Sequence, residues 1–257
     1  MQQINPDKYN HQLNLKIKNL KKNFSHIPLP ILEIYKSEAI HFRMRSEFRI
    51  WHKNDQVFYA MNNPDKKIPY IITEFLVGSK KINELMPLLL IEINKHDELK
   101  NKLFSAKFLT TLSGDTAVTL IYHKPIDENW RKAASDLHLK FNINIIGRSR
   151  KKKLTIGYDY VVEKLLVDGV NYYYKQIENG FTQPNAKINQ AMLSWSYHQT
   201  QKCGDDLLEL YCGNGNFTCV LSQNFEKILA TEISKDSVDA AYFNLKKNNI
   251  ENVSICR

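Results

Sequence analysis

A short apolar strand that runs straight into two closely spaced glycines and then a helix leaves few folds open. The segment LLELYCGNGNF, residues 207–217, has that form. Gly213 and Gly215 let the backbone turn sharply and approach a ligand with no Cβ in the way. The helix that follows aims its N-terminal amides at that ligand. A second strand, KILATE, ends on Glu232, and an acid at the tip of a second strand accepts the hydroxyls of a ribose. Strand, glycine loop, helix, strand and acid together describe a site for a nucleoside-containing cofactor. The three-glycine dinucleotide fingerprint is incomplete, because Thr218 stands where the third glycine belongs. That departure, and Glu209 inside the first strand, favour S-adenosylmethionine over NAD or FAD. The competing reading is an ordinary strand-to-helix turn.

The rest of the chain divides around this motif. After about residue 179, helix 185–201, strand 206–212, the loop and its helix, strand 227–232, helix 234–248 and strand 253–256 alternate, as in a parallel α/β sheet. Before it the pattern is mixed. A helix is predicted over 6–23, strands over 41–51, 57–61 and 70–73, and a helix over 79–95 capped by Ser79. Hairpin arms 106–112 and 117–123, a helix over 127–140 and a strand over 143–147 follow. The expected architecture is a mixed α+β domain, 1–178, followed by an α/β Rossmann-like domain, 179–257.

Charge directs attention to a polyanionic partner. The formal net charge is +9 and the pI about 9.2, which favours nucleic acid or an anionic membrane surface. No stretch approaches the ~18 apolar residues of a membrane span; the longest, 85–93, is broken by Pro87 and Glu92. The polar N-terminus lacks the apolar core of a secretory signal. Cys203, Cys212, Cys219 and Cys256 form no C-x-x-C pair and suggest neither disulfides nor zinc. A cytoplasmic protein without metal is expected. In strand 41–51, Phe42, Met44, Phe48 and Ile50 alternate with Arg43, Arg45, Glu47 and Arg49, so one face is buried. Arginine forks match phosphate geometry, so this row is a candidate RNA-backbone track. The run GRSRKKK, 147–153, is a second phosphate candidate, and Tyr172–Tyr174 offers stacking surfaces for bases. The bland alternatives are a solvated face, a solvated loop and packed aromatics.

Several segments together resemble one family. ELYCGNGNF (209–217) looks like the cofactor loop of the RNA 5-methyluridine methyltransferases, and ENGFTQPN (178–185) like the signature just ahead of it. HFRMRSEFRIWH (41–52), KLFSAKFLTTLS (102–113) and ILATEISKDSV (228–238) are similar to the branch acting on the T-loop uridine of tRNA, the tRNA (uracil-5-)-methyltransferases. The correspondence runs in one register from the first helix to Arg257. The resemblance implies that 1–178 is an RNA-binding domain and 179–257 the first part of a methyltransferase domain, and that Gln183, Tyr211, Gly213, Gly215, Asn216 and Glu232 hold S-adenosylmethionine. It also implies that the N-terminal domain grips the T-arm of tRNA, or another T-arm-like RNA such as tmRNA, with Phe104 as a base-stacking residue. Relatives that modify ribosomal RNA carry a cysteine array for an iron–sulfur cluster, which is not found here.

The family's chemistry uses a cysteine thiolate that adds to carbon 6 of uracil and a glutamate base that removes the carbon 5 proton. The Ser-Cys-Asn-Pro and Asp-Pro-Pro-Arg motifs that carry it do not occur in this sequence. Cys212 and Cys219 read as packing residues, and no catalytic residue is assigned. The chain is therefore expected to be a fragment of a longer enzyme, or a decayed gene product, inactive alone and with an open sheet edge. The alternatives are a non-catalytic tRNA-binding or RNA-folding protein, and a small-molecule methyltransferase, against which the basic first domain argues. Oligomeric state stays open.

Overall fold

A computed structural model describes residues 5–62 and 69–257. After a 3-10 turn, Pro6–Lys8, comes α1 (Tyr9–Asn23), then β1 (Arg45–Lys53), β2 (Gln56–Asn62), β3 (Pro69–Ile71), α2 (Lys80–Lys95), α3 (Asp97–Lys100), β4 (Leu103–Thr110), β5 (Thr116–Tyr122), α4 (Glu128–Phe141), β6 (Asn144–Ser149) and β7 (Lys152–Ile156). These strands form one sheet in the order β3-β2-β1-β4-β5-β6-β7. All neighbours are antiparallel except β5 and β6, which α4 joins as a parallel crossover. The core lies between one face of this sheet and helices α2 and α4. Phe48, Phe108 and Leu120 from the strands meet Ile82, Met86 and Leu89 of α2 and Trp130 of α4, each at most 1% exposed. Ser79 caps α2 through its hydroxyl to the Ile82 amide at 3.2 Å, and Asp127 caps α4.

The second half holds the hairpin β8 (Tyr160–Val167) and β9 (Val170–Ile177), then α5 (Ala186–Thr200), β10 (Gly204–Glu209), α6 (Asn216–Leu221), β11 (Phe225–Thr231), α7 (Lys235–Lys247) and β12 (Val253–Cys256). Strands β10, β11 and β12 are parallel and in that order, as the alternating pattern predicts. Leu208, Leu229 and Ile233 on this unit are 60%, 47% and 82% exposed. Among the described residues, no helix is long and apolar enough to cross a membrane.

Four expectations are corrected. The alternating strand begins at Arg45 rather than at residue 41, because the preceding residues have other partners. His41 has φ 58°, Arg43 donates its amide to the Val77 carbonyl, and Met44 donates to the Pro184 carbonyl at 2.8 Å. The alternation itself holds, with Ser46, Phe48 and Ile50 buried and Glu47 and Arg49 exposed. The basic run 148–153 is not a solvated loop: it is the β6–β7 hairpin, turning at Lys151 with φ 61°. Strand β10 runs 204–209 rather than 206–212, because Tyr211 takes a left-handed φ of 58°. The division near residue 178 cuts off a hairpin that belongs to both halves. Val161 of β8 packs with Leu109, Ala117 and Ile146 of the large sheet, whereas Leu165, Val167, Tyr172 and Tyr174 pack with Leu193, Cys219 and Leu245 of the second unit.

The free face of the large sheet carries one continuous row in register: Arg49, Ser105, Ile121, Arg148 and Lys153. The segment after β9 lies on this face. The Glu178 carboxylate, 4% exposed, accepts from Arg148 Nε at 2.6 Å and also from Arg148 Nη2, and from Thr119 Oγ1 at 3.2 Å; Lys153 Nζ stands 3.6 Å away. Arg45 donates to the carbonyls of Glu178 and Gly180. A second buried acid, Glu163 of β8, accepts the Leu112 amide at 2.9 Å and so ties the β4–β5 turn to the hairpin. Burial pushes its pKa up to about 7 against the hydrogen bonds of the Leu112 and Lys164 amides.

These two acids give two expected outcomes. Arg148→Met leaves Glu178 buried with a weakened partner set and should cost about 3 kcal/mol in urea unfolding. For Glu163 the folded pKa lies above the ordinary value of 4.5. The folded chain therefore holds an extra proton between those values, and stability falls as pH rises through that window. Unfolding of wild type and Glu163→Gln, compared at pH 4 and pH 8, should show wild type losing about 3 kcal/mol relative to the variant.

Candidate cofactor and nucleic-acid site

The glycine loop is built by backbone geometry first. β10 ends at Glu209, the chain turns at Tyr211, and Gly213 and Gly215 follow with φ 59° and 77°. Gly215 opens α6 from the left-handed region, where a side chain is strained. A Cβ on Gly213 would meet nothing within 4 Å, so that glycine faces open space. Tyr211 holds a left-handed conformation without being glycine and is 86% exposed. Its ring is therefore presented to solvent by a backbone conformation that few non-glycine residues adopt.

Two acids fix the loop from either side. Glu232, just past β11, accepts the Gly213 amide at 3.0 Å on one oxygen and the Ser234 amide at 2.7 Å on the other. Each carboxylate oxygen keeps a second acceptor site, enough for the two hydroxyls of a ribose. Glu209 is held from within: Thr218 Oγ1 donates to it at 2.6 Å. Burial raises the Glu209 pKa, and the Thr218 hydrogen bond opposes that rise. The threonine that breaks the dinucleotide fingerprint thus has its own task, satisfying a half-buried acid that lines the cleft.

A cleft of about 140 Å³ opens beside the loop, walled by Gln183, Tyr211, Gly213, Asn216, Asn189 and Gln176 among others. Ligand pockets of drug-like size span roughly 300–1,000 Å³, so this cleft holds part of such a molecule. Larger clefts of about 520, 620 and 680 Å³ lie elsewhere; loop chemistry, not size, selects the site. The structure brings Gln183, Tyr211, Gly213 and Asn216 together on one wall. It places Glu232 behind Gly213 rather than on the cleft surface. The Asn216 amide exchanges two 2.9 Å hydrogen bonds with the amide of Asn189 on α5. One donor and one acceptor site remain on each amide.

Asn189 was not among the sequence candidates, nor were Asn214, Asn244 and Asn248. Asn244 Oδ1 accepts the Lys175 amide at 2.6 Å, while its Nδ2 donates to the Asn214 carbonyl at 2.8 Å. Asn248 bonds both the amide and the carbonyl of Tyr173, each at 2.8 Å. Two amides one helical turn apart thereby satisfy β9 as a neighbouring strand would and brace the loop. Their i, i+4 spacing on the apolar side of α7 was the available signal.

The basic residues separate into two groups. Arg45 is turned inward onto the Glu178 and Gly180 carbonyls, so the expected three-arginine track loses its middle member. Arg148 and Lys153 are likewise paired with Glu178. Arg43 and Arg49 are exposed. Phe104 is the extra residue of a bulge between Leu103 and Ser105 and is 40% exposed. A bulge re-aims a side chain, and here the ring stacks on His123 with centroids 4.3 Å apart at 22°. Arg49 sits across from Ser105, next to this pair. Tyr172 and Tyr174 are buried, and Tyr174 donates to the Asn216 carbonyl at 3.0 Å, so the tyrosine run is packing. Burial pushes the Cys212 thiol up to about 11 and the Cys219 thiol further still, so neither is a thiolate at neutral pH. Among the described residues no cluster of metal-ligating side chains occurs.

The family model described as tRNA (Uracil-5-)-methyltransferase matches residues 8–257. A tRNA/tmRNA (uracil-C(5))-methyltransferase of Cellvibrio japonicus is 50% identical over 249 residues, which cover 97% of this chain and 68% of that protein. A protein of the same description from Vibrio cholerae is 48% identical over 259 residues, 99% of this chain and 70% of its own length. Among solved structures, a Pyrococcus abyssi tRNA (uracil-54, C5)-methyltransferase in complex with S-adenosyl-L-homocysteine is similar with a TM-score of 0.71. That match covers 97% of this chain and 63% of the other at 17% identity, a likeness of fold. The chain thus spans about two thirds of the length of these proteins.

Thr218→Val should leave the half-buried Glu209 without its donor. Thermal or urea unfolding is expected to show a loss of about 1–3 kcal/mol. An unchanged midpoint would mean that water replaces the hydroxyl.

Proposed function

The chain belongs to the tRNA (uracil-5-)-methyltransferase family, and from that premise we propose that its site serves methyl transfer from S-adenosylmethionine to carbon 5 of the T-loop uridine, position 54, of tRNA. The same site takes a T-arm-like loop in tmRNA. The observation that carries this reading is a glycine loop whose Gly213 amide is bonded to the Glu232 carboxylate, beside a cleft that Gln183, Tyr211 and Asn216 line. When bound, S-adenosylmethionine supplies an electrophilic methyl group on a sulfonium. Glu232 accepts the ribose hydroxyls, Gln183 offers an amide across the cleft, Tyr211 provides an exposed ring, and Gly213 lets the ligand approach the backbone. Asn216 acts through its pair with Asn189, which orients the start of α6.

On the nucleic-acid side, Phe104 stacked on His123 presents a ring edge and face to an unpaired base, and the exposed Arg43 and Arg49 contact backbone phosphate. Methyl transfer further requires a thiolate at carbon 6 and a base for the carbon 5 proton. The raised thiols of Cys212 and Cys219 suit neither role.

Isothermal titration with S-adenosylhomocysteine is the direct test. Glu232→Gln should lower affinity by about tenfold or more, equivalent to about 1.4 kcal/mol, measured at a temperature where circular dichroism shows both chains folded. Phe104→Ala should weaken binding of a T-arm stem–loop while leaving that titration unchanged. Wild-type affinity in Glu232→Gln would overturn the cofactor assignment, and failure of the wild-type chain to bind tRNA would overturn the substrate assignment.

A further inference from the structure

With Arg45, Arg148 and Lys153 turned onto internal carbonyls and Glu178, the phosphate-binding charge must lie elsewhere on the surface. Helix α1, YNHQLNLKIKNLKKN, contains four lysines and no acid. None of those lysines enters an ion pair among the described residues. At ~100° per residue, Lys18, Lys21 and Lys22 share one strip with His11 and Asn14. Leu13 and Ile17, both half-buried, point the other way.

Packing does not account for this helix. It is 15 residues long, buries no side chain, and has no side-chain cap at Lys8. A helix of that length is marginal in water and ordinarily depends on an apolar face buried in a core. Leu13 instead lines an open cleft of about 520 Å³, together with Phe42, Val77, Asn185 and Ile188. Phe42 precedes the exposed Arg43, whose backbone bridges to Asn185 at the start of α5. The helix thus borders the same cleft as Phe42 and Asn185, the neighbours of Arg43 and of the Gln183 segment.

We propose that α1 is a second RNA-docking element, which binds backbone phosphates of the tRNA through Lys18, Lys21 and Lys22 and is stabilised in turn by that contact. The inference rests on the tRNA reading above and extends it to a surface away from Phe104. Phosphate is the matching partner because the strip is basic and the helix carries no acid to offset it. Leu13, which an interfacial membrane helix would place in the bilayer, is half-buried and lines the cleft with Phe42 and Val77.

The test measures binding of a full-length tRNA transcript by fluorescence anisotropy across a salt series. The chains compared are wild type, Lys18→Gln/Lys21→Gln/Lys22→Gln and Lys18→Arg/Lys21→Arg/Lys22→Arg. The glutamine variant should bind at least about fivefold more weakly, with a slope of log affinity against log salt less steep by about 2. The arginine variant should match wild type, and both should bind S-adenosylhomocysteine normally. An unchanged slope in the glutamine variant would overturn the role of α1 while leaving the tRNA reading intact. So would a defect confined to anionic phosphatidylserine vesicles. Absence of tRNA binding by wild type would overturn both.

Discussion

A buried carboxylate facing a guanidinium across a sheet surface organises this molecule. Glu178 has no water to solvate it, so its charge is tolerable only because Arg148, Thr119 and Lys153 converge on it. Arg45 engages the backbone of the same segment. Together these groups set where the chain leaves the large sheet and enters the Gln183 segment, and so where one wall of the cofactor cleft stands. Such an ion pair contributes little net stability compared with apolar packing, but it fixes position. The second unit is held to the first by that junction and by a hairpin that places Val161 in one core and Leu165 in the other.

The loop chemistry follows the same principle of polar groups positioned by other polar groups. Glu209 needs Thr218, Asn216 needs Asn189, and Gly213 is held by Glu232. Inside the protein each such bond is electrostatically stronger than in water, and each missing partner is correspondingly costly. The amides of Asn244 and Asn248 do for β9 what a further strand would do, so α7 braces the glycine loop by hydrogen bonding as well as by packing.

Much of this was legible in the sequence because it rests on local patterns. Period-two alternation located β1, Ser79 and Asp127 located helix starts, and the glycine pair located the turn between β10 and α6. What stayed hidden depends on contacts distant in sequence. A sequence shows that Arg45 and Arg148 are basic, but not that both face a segment more than twenty residues beyond the second of them. The boundary near 178 was misplaced because β8 and β9 divide their side chains between two cores, and no composition shift marks such a hairpin. The pairing of Asn216 with Asn189 was not legible because the rest of α5 and the whole of β10 lie between them in the chain.

The bulge at Phe104 has a consequence for the strand that carries it. Leu103 and Ala106 both face the core although they are three positions apart, because one residue is surplus to the ladder. That residue, Phe104, is absent from the core cluster and stacks on His123 instead. The strand gives up one step of regular pairing there, and what it gains is an aromatic surface rather than core packing.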